Sequence, residues 1–409
     1  MLRMSVSRSA ASFALLVLAP TVWAQAGPRI ILPRPERLLL WSPQERPVGF
    51  RNMEKINPVH EVKRGTSVFP LPYASKELDV SYRFDGQEMD TTTFMEQNNV
   101  AGLLVLKDGR ILTERYALGF DDKSRWNSFS VAKSITSTLL GAAIEDGYIR
   151  SLDDPVTRYL PTLKKSAYEG VTIRQVLNMT SGVKWNEDYS DPESDVAKCH
   201  RATDRSLGSP LVTYLARLPR EAEPGTKFVY KTAETDLVGE IVIAATRKPL
   251  AEYLSEKIWA KFGMEQNAYW SIRDDKELGG CCLAVSLRDY ARFALFFMNG
   301  GVAGGEHVLP SGWIQQALTP TEASRAVLKS RGRDGGYGFQ WWIGSDGPGT
   351  YAARGIFGQS IHIDPSERLI IVILSAWSTP LDTDRRSAAR AYYKAVTEAA
   401  RSIAASVSH

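Results

Sequence analysis

The chain has 409 residues, 44% of them hydrophobic, and it carries a formal net charge of +4. This length and apolar content allow a large buried core, in one domain or in two closely joined subdomains. Charges of both signs are dispersed, with neither a long Lys/Arg run nor a basic amphipathic stretch. The modest positive excess therefore gives no indication of a nucleic-acid partner or of binding to a membrane surface.

Residues 1–26 predict a secretory signal peptide. A basic region reaches Arg8, an apolar run covers residues 10–23, and Ala-Gln-Ala at 24–26 has the small residues of a cleavage site. The apolar run is too short to span a membrane, and Pro20 interrupts it. No cysteine follows the cleavage site, so a lipid anchor is not indicated. We expect a periplasmic or secreted protein with no stable membrane insertion after the leader is removed.

A proline-rich segment follows, over residues 27–94, without sustained periodicity. It predicts an extended lead that wraps the surface of a main domain spanning residues 95–409. Two β-rich runs at residues 102–106 and 111–117 flank Asp108-Gly109 and predict a β-hairpin.

Ser130 comes soon after this hairpin, at the predicted start of a helix whose apolar residues recur at helical spacing as far as Ala143. Lys133 lies one turn further on, which brings its amine beside the Ser130 hydroxyl. Burial disfavours the charged form of a lysine, so the neutral amine can accept the proton of the serine. A second Ser-x-x-Lys, at Ser181, is followed at once by Gly182 and indicates a loop. We therefore predict a Ser-Lys nucleophile at Ser130.

Later segments complete the predicted fold. Thr172 caps a short helix that ends at Gly182, within an inserted, mostly helical subdomain over residues 150–288. Further elements are predicted at residues 287–298 (helix), 360–363 with 369–374 (hairpin) and 385–403 (amphipathic helix). Because strands lie near both ends with helices between them, we predict an α/β (α+β) fold. Its antiparallel sheet is built from both termini and flanked by helices.

Cysteine and histidine positions bear on disulfides and metals. In an oxidising compartment Cys199 can pair with Cys281 or with Cys282, which leaves one thiol over. The five histidines are scattered, with no His-x-His or His-Glu-x-x-His spacing. We therefore expect no metal site and no cofactor.

Four pieces of the sequence, taken together, resemble the serine β-lactamase and penicillin-binding superfamily over about residues 95–405. They are Ser130-Val-Ala-Lys133, Pro224–Thr232, Gly279–Cys282 with Ser286–Phe293, and Ala353–Gln359. The resemblance is strongest to class C-like esterases and 6-aminohexanoate-dimer hydrolases. It implies a β-lactamase-like fold and a serine hydrolase that acts through an acyl-enzyme.

The resemblance also implies the roles of individual residues. Ser130, Lys133 and Tyr230 occupy the catalytic positions, and a phenol beside a lysine ammonium is expected to lose its proton more easily. The backbone N–H groups of Ser130 and Ile356 are expected to form an oxyanion hole, although a shift of register would give this role to Gln359. The expected substrate contacts are Tyr189 at the scissile amide nitrogen, Trp341, Gly355 and Gln359. For Trp341, packing in the core is an equally good account.

Two departures from the lactamase pattern point away from β-lactams. Thr232 replaces the amide of Tyr-x-Asn, and Ala353 replaces the lysine of Lys-Thr-Gly. Arg354 does not restore that cation, because adjacent strand residues point to opposite faces. The favoured function is therefore hydrolysis of small linear amides or esters. The alternatives are a class C-like β-lactamase, a D-Ala-D-Ala carboxypeptidase, and a catalytically silent binder of cell-wall peptides.

Overall fold

The computed structural model describes residues 31–407, with side chains as far as Ser402, so the predicted signal peptide lies outside the described residues. From Leu32 onward these residues belong to one compact unit. Within the described range, no helix combines the length and the apolar character that crossing a membrane requires.

The strands, numbered in chain order, are β1 (Val59–Val62), β2 (Ser81–Phe84), β3 (Gln87–Asp90), β4 (Val100–Lys107), β5 (Arg110–Tyr116), β6 (Trp126–Asn127), β7 (Ala268–Arg273), β8 (Lys276–Glu277), β9 (Leu283–Val285), β10 (Val302–Ala303), β11 (Glu306–His307), β12 (Gly336–Tyr337), β13 (Trp342–Ile343), β14 (Tyr351–Gly355), β15 (Gln359–Asp364) and β16 (Leu369–Ser375).

The α-helices are α1 (Glu45–Phe50), α2 (Met53–Ile56), α3 (Thr91–Gln97), α4 (Ala132–Glu145), α5 (Ile173–Leu177), α6 (Asp195–Arg201), α7 (Pro210–Ala216), α8 (Thr232–Thr246), α9 (Leu250–Leu254), α10 (Ala260–Phe262), α11 (Leu287–Met298), α12 (Trp313–Ala317), α13 (Glu322–Ser330) and α14 (Thr383–Val407). Short 3-10 turns cover Pro35–Leu40, Phe129–Val131, Val156–Arg158, Pro161–Leu163 and Ile356–Gly358, and a π-helical turn covers Ser255–Trp259.

A seven-stranded sheet in the order β12-β13-β14-β15-β16-β4-β5 organises the fold. Every neighbouring pair in it is antiparallel. Strand β16, from the C-terminal part, pairs with β4 from the N-terminal part, so both predicted hairpins join one sheet. The predicted antiparallel sheet built from both ends of the chain is confirmed.

Alternate residues of the central strands bury two separate cores. Leu104 of β4 and Val372 of β16 belong to the core that contains α4 and α11, whereas Val105 and Ile371 belong to the core under α14. Both strands are therefore apolar except for their last residues, as strands covered on both faces must be. The predicted final helix is confirmed, since Tyr392 and Val396 of α14 are fully buried.

The proline-rich lead differs from its prediction. Instead of an extended surface segment, residues 35–62 form short helices and strand β1. Trp41, Phe50 and Met53 are at most 1% exposed, which places them in the main core. Strand β1 pairs with β7 of the small second sheet. Burial of three large apolar side chains is favourable enough that this segment packs into the core instead of lying on the surface.

Two bounds of the inserted segment also differ from expectation. Residues 264–285, expected to be helical, hold strands β7, β8 and β9. Helix α5 has the predicted Thr172–Gln175 capping box but ends at Leu177 rather than at Gly182. Gly182 instead adopts φ +75°, and a Cβ there would lie 2.0 Å from the Ala222 carbonyl oxygen. The glycine is needed for this close approach of two backbone segments.

Candidate active site

Ser130 is placed by the turn that leads into α4. Two hydrogen bonds to Leu283 anchor this turn, since the Ser128 N–H donates to the Leu283 carbonyl and Ser128 Oγ accepts from the Leu283 N–H. Phe129, just before Ser130, has φ +44°, a left-handed conformation uncommon for a bulky residue. Ser130 itself is 8% exposed. This arrangement holds the serine at the N-terminal end of a buried helix.

Lys133, the second residue of α4, is buried one turn after Ser130, with 1% of its surface exposed. Its Nζ donates to the Gly280 carbonyl at 2.6 Å and to Thr232 Oγ1 at 3.1 Å, and it lies 5.5 Å from the centre of the Tyr230 ring. Within the described residues, none of its hydrogen bonds goes to Ser130. Burial lowers the pKa of Lys133 to about 8, against the raising effect of the Glu187 and Asp236 carboxylates. The predicted depression of this pKa by burial agrees with the structure.

Glu187 is a carboxylate at this site that no sequence motif indicated. It accepts from the Thr232 N–H at 2.9 Å, from the Thr232 hydroxyl, from the Tyr189 hydroxyl at 2.7 Å and from the Trp185 indole N–H. Thr232 therefore uses its hydroxyl twice, as acceptor from Lys133 and as donor to Glu187. Because Lys133 and Glu187 both engage its hydroxyl, Thr232 is not free to bind the acylamide group of a β-lactam.

Asp236 and Gly280 complete the surroundings of the lysine. The Gly280 N–H donates to Asp236 Oδ1 at 2.7 Å, while the Gly280 carbonyl accepts from Lys133. A Cβ at residue 280 would lie 2.8 Å from the Thr232 carbonyl oxygen, so only glycine fits between α8 and Lys133. Burial raises the pKa of Asp236, and Lys133 opposes that effect. The glycine pair that the sequence shows at 279–280 serves close packing around the lysine.

Tyr230 faces the same site, but its expected acidity is wrong. Its ring stacks on Trp342 with centroids 5.7 Å apart and meets Tyr337 edge-on at 5.9 Å. Burial between these rings raises the pKa of Tyr230 well above its ordinary value, and the nearby Ser130 hydroxyl opposes this only in part. Tyr230 is therefore a neutral phenol, because desolvation of a phenolate outweighs any nearby positive charge.

The end of β14 approaches the nucleophile closely. A Cβ at Gly355 would meet the Ser128 carbonyl oxygen at 2.7 Å and the Ser130 nitrogen at 3.1 Å. The space on the Cβ side of Gly355 is thus filled by the chain's own backbone, which explains the glycine, and the expected substrate contact of Gly355 stays a prediction. Ile356 follows directly, which places its backbone beside the turn of Ser130.

Gln359 has a structural position instead of a substrate-binding one. It is 1% exposed, and its side chain accepts from Trp126 Nε1 and the Ser375 N–H while donating to the Ile356 and Ser375 carbonyls. All its hydrogen-bonding capacity is used inside the protein. The expectation that the Gln359 side chain contacts substrate does not agree with this geometry. The oxyanion hole depends on backbone N–H groups, so the choice between Ile356 and Gln359 stays a prediction.

The two neighbouring tryptophans lie in different surroundings. Trp341 is 0% exposed and packs on Phe297 at 4.5 Å and on Tyr351 at 5.3 Å. It belongs to the core, so its assignment to the cleft wall is wrong. Trp342 stacks on Tyr230 and is the tryptophan that borders the site.

Tyr189 is half-buried next to Tyr230, and burial raises its pKa well above the ordinary value. Its hydroxyl donates to Glu187 Oε1 at 2.7 Å. The proton of the phenol is therefore already engaged, and no other described residue donates a hydrogen bond to its oxygen.

The second Ser-x-x-Lys behaves as a structural element. Ser181 is 0% exposed, donates to Glu234 and accepts from Lys231 Nζ at 3.3 Å. Lys231 lies 3.6 Å from Glu234, and both are at most 1% exposed. This network is a buried ion pair with its hydrogen bonds shared among neighbours, and Lys184 takes no part in it.

The disulfide also differs from the expected pairing. Cys281 is joined to its neighbour Cys282, in the loop directly after Gly280. Cys199 remains a free, buried thiol, and burial raises its pKa to about 12. Cys281 and Cys282 therefore pair with each other, and neither pairs with Cys199.

A change of pH profile should reveal the electrostatic role of Glu187. Since Glu187 raises the pKa of Lys133, Glu187→Gln should lower that pKa further and move the rising limb of the kcat/KM profile to lower pH. The profile should be measured with a neutral ester between pH 5 and 10. Glu193→Gln, which removes an exposed carboxylate of the same loop, should leave the limb in place. A limb that stays fixed in Glu187→Gln would contradict this electrostatic coupling.

Comparison with known proteins agrees with this geometry. The beta-lactamase family model matches residues 90–395. The chain is 34% identical to the 6-aminohexanoate-dimer hydrolase of Paenarthrobacter ureafaciens, covering 70% of this chain and 75% of that protein. The structure of a putative 6-aminohexanoate-dimer hydrolase from Bacillus anthracis superposes with a TM-score of 0.76 at 25% identity, covering 88% and 94% of the two chains. A putative beta-lactamase from Bacteroides dorei shares the fold, with a TM-score of 0.59 at 21% identity over 75% and 96%.

The matched residues include the Ser130 turn, α4, α8 and strand β14, which are the elements that build the site. The chain belongs to the beta-lactamase family, as a β-lactamase-fold hydrolase similar to 6-aminohexanoate-dimer hydrolase.

Proposed function

We propose that this protein is an exported serine hydrolase that cleaves small linear amides or esters through an acyl-enzyme on Ser130. The observation that carries the proposal is the buried Lys133, with a pKa of about 8, one helical turn from Ser130 and beside Tyr230. A lysine of this pKa is neutral in about a tenth of molecules at pH 7, enough to act as a base.

The reaction follows from these groups in two steps. Ser130 Oγ attacks the substrate carbonyl and its proton passes to neutral Lys133, with the Ser130 and Ile356 N–H groups receiving the developing oxyanion. Tyr230, a neutral phenol in contact with Ser130, relays a proton to the leaving group. Water then attacks the acyl-enzyme by the reverse proton path, which releases the acid and restores Ser130.

Tyr189 favours an amine as leaving group. Because its proton is held by Glu187, its oxygen can accept a hydrogen bond from the N–H of the departing amine. Esters offer no such N–H. The 34% identical relative is named for hydrolysis of an aminohexanoate dimer, and a linear amide of that kind is the substrate class we favour.

Tyr189→Phe should therefore lower kcat for a linear amide by roughly tenfold or more while changing ester hydrolysis little. The assay compares an aminohexanoate dimer with a short-chain p-nitrophenyl ester. Tyr230→Phe is the matched variant, since loss of a proton-transfer group should depress both substrates, by roughly a hundredfold. Equal losses on both substrates in Tyr189→Phe would remove its amide-specific role.

β-Lactams should be poor substrates. The Thr232 hydroxyl is engaged by Lys133 and Glu187, and Arg354 points to the other face of β14, where it contacts Asp346. Arg354 therefore does not supply the cation that would receive the carboxylate of a β-lactam or of a D-Ala-D-Ala peptide. Turnover of a chromogenic cephalosporin should be at least tenfold below that of the ester, and a comparable rate would instead favour the β-lactamase alternative.

A panel of esters, an aminohexanoate dimer, a penicillin and a D-Ala-D-Ala peptide tests the proposal as a whole. Turnover of the ester or the dimer supports it. Binding of cell-wall peptides without turnover of any compound would favour the silent-binder alternative.

A further inference from the structure

A second feature lies behind the sheet, between the start of α14 and the face of β14–β16 that points away from Ser130. It is a cavity of about 20 Å³, here called the rear cavity, whose lining includes Asp346, Arg354, Ser375, Trp377, Arg385 and Arg386. None of Ser130, Lys133 and Tyr230 lines it. The rear cavity is therefore distinct from the serine, lysine and tyrosine of the candidate active site, although Arg386 lies near enough to lower the pKa of Tyr230 slightly against its burial.

Its lining has too many hydrogen-bond donors. Arg354 Nη1, Arg385 Nη1, Ser375 Oγ and Trp377 Nε1 are buried without a hydrogen-bond acceptor among the described residues, whereas Arg354 Nη2 contacts Asp346. Arg354 is 7% exposed, Ser375 0% and Trp377 4%. Buried donors are almost always satisfied in folded proteins, so several of them around one cavity indicate that an acceptor occupies it.

The rear cavity is also lined by more positive than negative charges. Three arginines line it, against the single carboxylate of Asp346. That carboxylate is contacted by Arg354, by Arg390 at 3.3 Å and by His362 at 3.5 Å, so it is shared among several cations. Arg385 lies 3.6 Å from Asp382, a carboxylate that does not line the cavity. One carboxylate is left to compensate three arginines, of which Arg354 is buried and Arg385 and Arg386 are half-buried.

Arg386 is the least compensated of these arginines. Among the described residues, no carboxylate lies within 4.0 Å of its guanidinium, which instead sits 5.7 Å from the Trp377 ring centre. Burial and the neighbouring Arg354 lower the pKa of Arg386 to about 10. Arg385 and Arg386 also lie in the first turn of α14, where the helix dipole is positive and cations are disfavoured.

We propose that the rear cavity is a binding site for one monatomic anion, chloride under ordinary conditions, held by Arg354 and Arg386 with Ser375 and Trp377 as further donors. The size favours a small ligand. A cavity needs about 10–15 Å³ to hold one water, so a cavity of about 20 Å³ has room for one chloride. A water molecule fits but does not neutralise the arginines.

Binding to the folded state alone must stabilise it. The bound ion would link α14 to β14, the strand that ends at Gly355 just before Ile356, and to Ser375 of β16. Thermal unfolding of the mature protein should therefore respond to chloride. With sodium gluconate replacing chloride at constant ionic strength, added chloride or bromide should raise Tm saturably by roughly 2–5 °C, and sulfate should not.

Arg386→Met tests the assignment, because methionine keeps an apolar stem against Trp377 but removes the charge. The chloride-dependent rise in Tm should disappear in this variant. It should remain in Arg401→Met, which removes an exposed arginine of the same helix paired with Glu367. Equal Tm of the wild type in chloride and gluconate, or a full chloride response in Arg386→Met, would overturn the proposal.

A direct measurement covers the case in which Arg386→Met fails to fold. Wild-type crystals grown in sodium bromide should show an anomalous peak within contact of the Arg354 and Arg386 guanidinium groups. Density for water without an anomalous peak would overturn the proposal. Neither experiment measures catalysis, so failure of the anion site and failure of the proposed function are distinguishable.

Discussion

Replacing Lys133 by methionine should lower kcat/KM for a short-chain ester by roughly a thousandfold, within the range for loss of a positioned base. Methionine fills much of the same buried volume, so the site should keep its shape while losing the amine. The wild-type profile should rise with pH up to about 8, because the protonated amine is inactive as a base and burial lowers the pKa of Lys133 to that value. The variant should lose this limb.

Lys184→Met provides the matched control, since Lys184 is the exposed lysine of the second Ser-x-x-Lys. Its activity and pH profile should equal those of the wild type. If Lys133→Met, folded by circular dichroism, retained more than a tenth of wild-type kcat/KM, Lys133 would not be the base.

Ser130→Ala should have the largest effect of any single change, a loss of roughly 10⁵-fold or more in kcat, because no acyl-enzyme can form. Substrate binding should change little, since the hydroxyl is small and the surrounding site remains. The measurement is ester hydrolysis at enzyme concentrations high enough to detect residual turnover.

Ser181→Ala separates the two serine motifs. Ser181 is fully buried and hydrogen-bonded to Glu234, so its loss should reduce stability by about 1–3 kcal/mol while folded protein keeps its turnover. If Ser181→Ala abolished hydrolysis at a temperature where it is folded, and Ser130→Ala did not, the nucleophile would be misassigned.

Local sequence signals predicted the parts of the fold that depend on neighbouring residues. Asp108-Gly109 specifies a tight turn, and β4 and β5 pair around it. The helical spacing after Ser130 predicted α4, and Lys133 is buried as that spacing requires. In each case, contacts within one element or between adjacent elements decide the structure.

Long-range pairing and register decided the rest. His60 of β1 pairs with Trp270 of β7, a contact that composition in a proline-rich lead does not indicate. Trp341 and Trp342 differ by one residue, yet one lies in the core and the other stacks on Tyr230. Glu187 escapes prediction for a related reason, because an acidic residue in a polar loop carries no motif.

The candidate site was therefore predictable where a motif fixes spacing along one helix and only partly where segments meet. Ser130 and Lys133 lie on one continuous helical stretch, the 3-10 turn that leads into α4, so their proximity follows from helical geometry. The surroundings of Lys133 come from Gly280 and Thr232, which reach it from separate parts of the chain. Its hydrogen-bond partners depend on how these segments meet in the folded structure.

Covalent labelling of the active protein tests the central claim most directly. After reaction with a fluorophosphonate until ester hydrolysis stops, intact-mass spectrometry should show one adduct per chain, and peptide mapping should place it on Ser130. A stoichiometric adduct on another residue, or full inactivation without any adduct, would contradict an acyl-enzyme mechanism at Ser130.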